Sequence, residues 1–179
     1  MYEGELVRLR AFDNGDLMHC LSYSNDYEVM RGASGAILYP STVEDEARTM
    51  GNSTSFTQGE YQFAIETLEK RQFIGKCGFV KINWKNRVGE LAILIGEKQL
   101  HGRGYGADAI RTLCRFGFEE MNLHKIKATV FAFNEKALRC YEKCGFIREG
   151  LLKEEIFREG KYHDVVIMGL IGKNGGTNQ

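Results

Sequence analysis

Along the chain, apolar and polar positions either alternate, recur at helical spacing or cluster, and the changes of texture divide it into elements. Leu6 to Ala11 alternates, with Val7, Leu9 and Ala11 on one side and Arg8 and Arg10 on the other, which predicts a strand. A helix is expected to follow through about Asp26, capped by Asp13 or Asn14, with Leu17, Cys20 and Leu21 as its apolar stripe. Residues 27–40 read as a short helix and then a loop ending at Pro40. Ser41 to Met50 is a second helix, with Ser41 as N-cap and Glu44 completing a capping box. Residues 51–60 are polar and loop-like.

The texture then changes. Tyr61–Thr67, Gln72–Trp84 and Arg87–Ile95 read as strands, joined by connections short enough for hairpins, so an antiparallel meander is expected. Gln99 to Met121 holds three glycines at alternate positions, Gly102, Gly104 and Gly106, and then an amphipathic run through Ile110, Leu113, Cys114, Gly117 and Met121. Lys125 to Phe133 alternates again, with Ile126, Ala128, Val130 and Ala132 against Lys127, Thr129, Phe131 and Phe133. Asn134 is placed to cap a helix that runs to Lys143 and ends at Gly145. Phe146–Phe157 and Tyr162–Ile171 predict two last strands, and residues 173–179 an unstructured tail.

The strand, glycine turn and helix in sequence have a chemical use. The first N–H groups of a helix lack internal partners and carry partial positive charge. Glycines clear side chains from that end, which makes a cradle for phosphate oxygens. Arg103 and Arg111 add charge nearby. The spacing is neither the dinucleotide fingerprint nor a nucleotide P-loop. A turn that merely caps the helix is the competing reading.

Composition narrows the classes. A chain of 179 residues, 43% hydrophobic and 27% charged, reads as one soluble globular domain. Lys plus Arg equals Asp plus Glu at 24 each, so no net charge draws it to nucleic acid or to an anionic membrane. No apolar run reaches transmembrane length, and the first residues lack a signal-peptide core. Five scattered cysteines, Cys20, Cys77, Cys114, Cys140 and Cys144, argue against a disulfide framework and for a reducing, cytoplasmic setting. Cys140 and Cys144 lack a second ligand pair, so buried free thiols are expected rather than a metal site.

HGRGYGADA after a strand, followed by NEKALRCYEKCGF and the ending EGLLKEEIFREGKYHDVVIMGLI, resembles the GNAT superfamily of N-acetyltransferases. Within it the chain resembles the group holding ribosomal-protein N-terminal acetyltransferases and spermidine acetyltransferases. The resemblance implies a single α/β domain over residues 1–172, with a mixed, mostly antiparallel sheet of about seven strands flanked by helices. It also implies a central splay between the strands at 87–95 and 125–133, where acetyl-coenzyme A binds. No metal is implied, and a homodimer is a family-level expectation.

By the same resemblance, the backbone of His101, Gly102, Arg103, Gly104, Tyr105 and Gly106 would hold the pyrophosphate. Ile93, Leu94 and Ile95 would bond the pantetheine amides along a strand edge, and Asn134 would contact the same arm. Tyr141 falls near the thioester sulfur, and Glu90 at an acidic position that serves some relatives as a base. His101 departs from the usual Gln or Arg, Asp108 from the commoner Glu, and Ala137 from the serine of many N-terminal acetyltransferases. The last departure moves the acid role towards Tyr141.

The implied reaction is direct attack of an amine on a thioester, with a small molecule or a protein N-terminus as acceptor. Only the neutral amine attacks. Deprotonation at pH 7 costs about 4 kcal/mol for an amine of pKa ~10, but about 1.4 kcal/mol for an α-amino group near 8. A base therefore matters more for polyamine-like acceptors. Glu90 is the base or a solvated strand carboxylate, and Tyr141 is the acid for the leaving thiolate or a packing aromatic. Asp26, Glu28, Glu44, Asp45 and Glu46 either line a cationic acceptor site or face solvent. A non-catalytic acetyl-coenzyme A sensor and a structural subunit are the rival classes.

Overall fold

The structure is a computed structural model and describes residues 2–53 and 61–172. The predicted tail, and residues 54–60 of the predicted loop, lie outside the described residues. In chain order the elements are β1 (Tyr2–Glu3), β2 (Val7–Arg10), α1 (Asp16–Ser24), α2 (Tyr27–Met30), α3 (Val43–Ser53) and β3 (Tyr61–Thr67). They continue with β4 (Phe73–Asn83), β5 (Val88–Ile95), α4 (Tyr105–Glu119), β6 (Lys125–Phe131), α5 (Glu135–Lys143), β7 (Ile147–Arg158) and β8 (Lys161–Ile171). Among the described residues they form one sheet of eight strands in the order β1-β2-β3-β4-β5-β6-β8-β7. The mixed, mostly antiparallel α/β architecture is as expected. The strand beyond the expected seven is the two-residue β1, too short to leave an alternation.

Both faces of the sheet are covered. On one, α4 lays Ile110 and Leu113 against Leu9, Ile65, Phe79, Leu91 and Ile126, all nearly or fully buried. On the other, Cys20, Tyr23 and Val29 from α1 and α2 pack on Ala64 and Phe73. The odd positions Leu91, Ile93 and Ile95 of β5 face the first layer, and Leu94 the second, as strand alternation requires.

Two local expectations are corrected. Asn14 does not cap α1, and Asp13 acts from ahead of the first helical turn: its Oδ1 accepts the Gly15 N–H at 2.8 Å and its own N–H donates to Asp16 Oδ2 at 2.9 Å. Gly15 takes the N-cap position with no side-chain bond. Arg10 adds to this local cap, bonding the buried Asp16 at 2.7 Å and Glu66 at 2.6 Å, so an ion network ties the helix entry to β3. At α3 the capping box exists one residue later than expected: Asp45 N–H donates to Thr42 Oγ1 at 3.2 Å, and Thr42 N–H to Asp45 Oδ2 at 3.1 Å. The helix then runs on to Ser53, past the Met50 expected as its end.

Candidate active site

The parallel strands β5 and β6 pair only at their starts: Val88 with Lys125, Gly89 with Ile126 and Glu90 with Lys127. Beyond Glu90, β5 stays with β4 through Cys77↔Ile93, Lys76↔Leu94 and Gly75↔Ile95, while β6 stays with β8. The strands part, as the resemblance implied, and a cavity of about 1030 Å³ opens between them. A register shift in β4 between Phe79 and Lys81 lies beside this point and leaves Val80 at the cavity wall. Such a bulge bends its strand and sharpens the local twist.

At one end of the cavity the chain leaves β5 and enters α4. Gly102 and Gly104 have φ of +77° and +93°, a left-handed backbone that glycine adopts without the cost other residues meet. Gly104 is the N-cap and supplies no side-chain bond, so the first N–H groups of this 15-residue helix are left for a ligand. His101 Nε2 lies 2.8 Å from the Ile95 carbonyl oxygen and folds the loop back on β5. Behind the loop, the buried Asp108 carboxylate accepts from the N–H groups of Glu5, Leu6 and Val7 at 3.1, 2.8 and 3.0 Å, which anchors the first turn of α4 to the start of β2. The change from Glu to Asp therefore has a structural use here.

Positive charge along the cavity lining comes from a source the sequence did not single out. Lys136, Arg139 and Lys143 of α5 line the cavity, whereas Arg103 does not. Arg111 lies instead 3.7 Å from Asp108. The Arg103 N–H is directed at the Leu100 carbonyl at 3.4 Å, and Tyr105 packs against the core. Of the residues expected to hold the coenzyme, Ile93, Leu94, Ile95, His101, Gly102, Gly104, Gly106 and Asn134 all line the one cavity. The side chain of Asn134 is engaged twice: Oδ1 accepts from Ala137 N–H at 3.2 Å as the α5 cap, and Nδ2 donates to Gly32 O at 3.1 Å.

Deeper in, Tyr141 and Glu90 line the same cavity. Tyr141 is 5% exposed, with its ring 5.2 Å from that of Phe146. Burial holds its phenol well above the usual range, so the hydroxyl keeps its proton. Among the described residues nothing hydrogen-bonds that hydroxyl. Glu90 accepts from Thr129 Oγ1 at 3.1 Å and lies 3.5 Å from Lys127 Nζ. It stands on the part of β5 where the strands separate, so its carboxylate reaches the cavity rather than bulk solvent.

The five carboxylates weighed for an acceptor site separate. Glu28 lines the cavity, but with Asp26 it holds Lys98 Nζ, at 2.9 and 2.7 Å. Glu44, Asp45 and Glu46 lie outside the cavity lining, and Glu46 is buried. Sequence reading missed Arg31, Gly32, Phe131, Phe133 and Glu155, which complete the wall opposite α4. No short motif marks them, since they come from the loop after α2, the end of β6, the turn beyond it and β7.

All five cysteines are free; Cys140 and Cys144, expected to be buried, are half-buried, and Cys140 lines the cavity. Among the described residues no group of three or more His, Cys, Asp or Glu could hold a metal ion, and no helix is long and apolar enough to cross a membrane.

A family described as Acetyltransferase (GNAT) domain matches residues 7–147. A spermidine N(1)-acetyltransferase of Vibrio cholerae serotype O1 is 33% identical over 165 residues, covering 92% of each chain. The spermidine N(1)-acetyltransferase of Escherichia coli K12 is 30% identical over 162 residues, covering 90% of this chain and 84% of the relative. The solved structure of the Vibrio cholerae spermidine N-acetyltransferase in complex with CoA and spermine superposes with a TM-score of 0.83 at 30% identity, over 92% of this chain and 95% of that one.

Proposed function

The chain belongs to the GNAT acetyltransferase family, and from that premise we propose that its acceptor is a small polycationic amine of the spermidine kind. It is an N-acetyltransferase that uses acetyl-coenzyme A. The observation that carries the reading is the single cavity that holds a free helix N-terminus at one end and Glu90 and Tyr141 further in. The donor set fits the coenzyme: N–H groups with Lys136, Lys143 and the Glu135-paired Arg139 for phosphates, then the edge of β5 beyond Glu90 that β6 leaves among the described residues, where His101 already takes the Ile95 carbonyl, for amides.

Bound acetyl-coenzyme A supplies the thioester carbonyl that the amine attacks. Glu90 takes a proton from the incoming ammonium, directly or through water, and Thr129 and Lys127 hold its carboxylate in place. Tyr141 keeps its proton until thiolate charge develops and then donates it, since a buried phenol has no competing partner among the described residues. Ala137, in place of a serine, leaves that role to Tyr141. The relatives' named substrate supports a polyamine over a protein N-terminus.

Thiol release from acetyl-coenzyme A across spermidine, diamines, monoamines, aminoglycosides and N-terminal peptides tests the reading. Saturable release with spermidine or a diamine is expected. Release with peptides alone, or with none, would overturn it. A homodimer and a cytoplasmic setting belong to the same proposal; five free thiols support the latter, and sedimentation of the purified chain tests the former.

A further inference from the structure

α5 ends in a pair of thiols that face the start of α4. Cys140 and Cys144 stand four residues apart, the spacing that puts two side chains on one helix face. Cys144 Sγ donates to the Ala107 carbonyl at 3.4 Å. A Cβ added at Gly106 would lie 3.7 Å from Cys140 Sγ. Both sulfurs thus sit against the first turn of α4, the turn whose N–H groups are left for a ligand. They differ in access: Cys140 lines the cavity and Cys144 does not. The other three thiols, Cys20, Cys77 and Cys114, are buried.

An ideal helix sets Cα atoms four residues apart at about 6 Å, inside the span that a disulfide bridges. The side chains must still close on each other by a movement of the last turn, and Cys144 is placed to make it. It is the C-cap, one residue beyond Lys143, and Gly145 follows with φ of +90°. To reach Cys140 its thiol must leave the Ala107 carbonyl, and α4 then loses that hold on its first turn. Cys140 is the thiol that starts the chemistry. The neighbouring Cys144, with the positive charges of Lys143 and Arg111, holds it below the usual range, and a thiolate is the form that a peroxide oxidises.

We infer that Cys140 and Cys144 are a peroxide-responsive pair, whose disulfide loosens the start of α4 and so weakens coenzyme binding. The Cys140 thiolate attacks hydrogen peroxide: an S–O bond forms as the O–O bond breaks, and the hydroxide released takes up a proton as water. The Cys144 thiol then attacks the sulfenic sulfur. The S–S bond forms, the S–O bond breaks, and the hydroxyl leaves with the Cys144 proton as a second water. The two thiols together give up two electrons, and the peroxide takes them. A dithiol reductant reverses the bridge by exchange, as suits a transient disulfide in a reducing setting. The inference does not depend on which amine is the acceptor; it rests on the phosphate cradle proposed above.

The test treats the full chain, reduced and freed of thiol, with hydrogen peroxide. Trypsin cuts after Arg139, Lys143 and Arg148, and so between the two cysteines. Peptides 140–143 and 144–148 should then run as one linked species in mass spectrometry, lighter than their sum by two hydrogens. Calorimetric affinity for acetyl-coenzyme A should fall about tenfold or more and return with dithiothreitol. In Cys140→Ser, peroxide should leave the affinity within about twofold of that variant's own untreated value. In Cys144→Ser no bridge can form, and Cys140 should pass on to the sulfinic acid, which dithiothreitol does not reverse. Absence of the linked peptides in wild type, a bridged chain that keeps the affinity of the reduced one, or an equal loss in Cys140→Ser would overturn the inference. If reduced wild type binds no acetyl-coenzyme A at all, the cradle reading falls and this inference with it.

Discussion

The side-chain amide of Asn134 donates to the Gly32 carbonyl across 3.1 Å, while its oxygen caps α5. One residue thus joins the loop after α2, on the acceptor wall, to the helix that carries Tyr141. Asn134→Ala should lose about 1 kcal/mol from the cap and a similar amount from the bond to Gly32, seen as a lower Tm. It should also raise the KM for the amine. Asn134→Asp keeps the cap acceptor and removes the donation, so it should keep most of the stability but share the KM effect.

Gly104 sits at φ +93°, where an added Cβ would lie 3.3 Å from Leu6 Cδ1. In Gly104→Val the left-handed backbone costs about 1–2 kcal/mol, and the side chain crowds the N–H groups at the helix start. Calorimetric affinity for acetyl-coenzyme A should fall by about tenfold or more, with far-UV circular dichroism unchanged. Wild-type affinity would remove the cradle role.

Tyr141→Phe keeps the ring against Phe146 and removes only the proton donor. Turnover should drop by roughly 10²–10⁴, with little change in the KM for acetyl-coenzyme A. The pH profile gives a second check. Burial raises the Tyr141 pKa, so its acid form persists to higher pH than a free phenol near 10. Activity should therefore climb with pH as the acceptor amine loses its proton, with no alkaline fall from this phenol below about pH 10. A variant rate within about twofold of wild type would send the search to water or another donor.

Cys140 should be the thiol that iodoacetamide finds first. It lines the cavity, and the neighbouring Cys144, with the positive charges of Lys143 and Arg111, holds its thiol below the usual range. Burial pushes Cys20 up to about 11 and Cys114 up to about 12, which leaves them unreactive at neutral pH. Mass spectrometry of the labelled chain should show one fast site, and acetyl-coenzyme A should protect it. Equal labelling with and without the coenzyme would separate Cys140 from the coenzyme site.

Much of this site was legible because its parts are local. The alternation of β5 and β6, the glycines before α4 and the Asn134 cap each follow from neighbours in sequence, and each stands where expected. What stayed hidden depends on distant partners. The entry to α1 is tied to Glu66 of β3 through Arg10 and Asp16, a link that the residues around its cap do not show. The bulge at Glu154 is set by Asp164 on another strand, which no periodicity in β7 could reveal. The basic residues of α5 were not singled out because packing, not spacing, decides which side chains line the cavity.

The bonds from Asp108 to the N–H groups of Leu6 and Val7 span 102 and 101 residues. During synthesis the first strand leaves the ribosome long before its anchor exists. The turn into α4 therefore gains this anchor late, after a loop of that length has closed. Closure cost grows only slowly with loop length, but such non-local pairing slows folding. The same connection runs backwards: a cut or a bulky fusion at the first few residues would act on a site a hundred positions away. An activity defect from an N-terminal tag would then be a fault in the seating of α4, not in the chemistry.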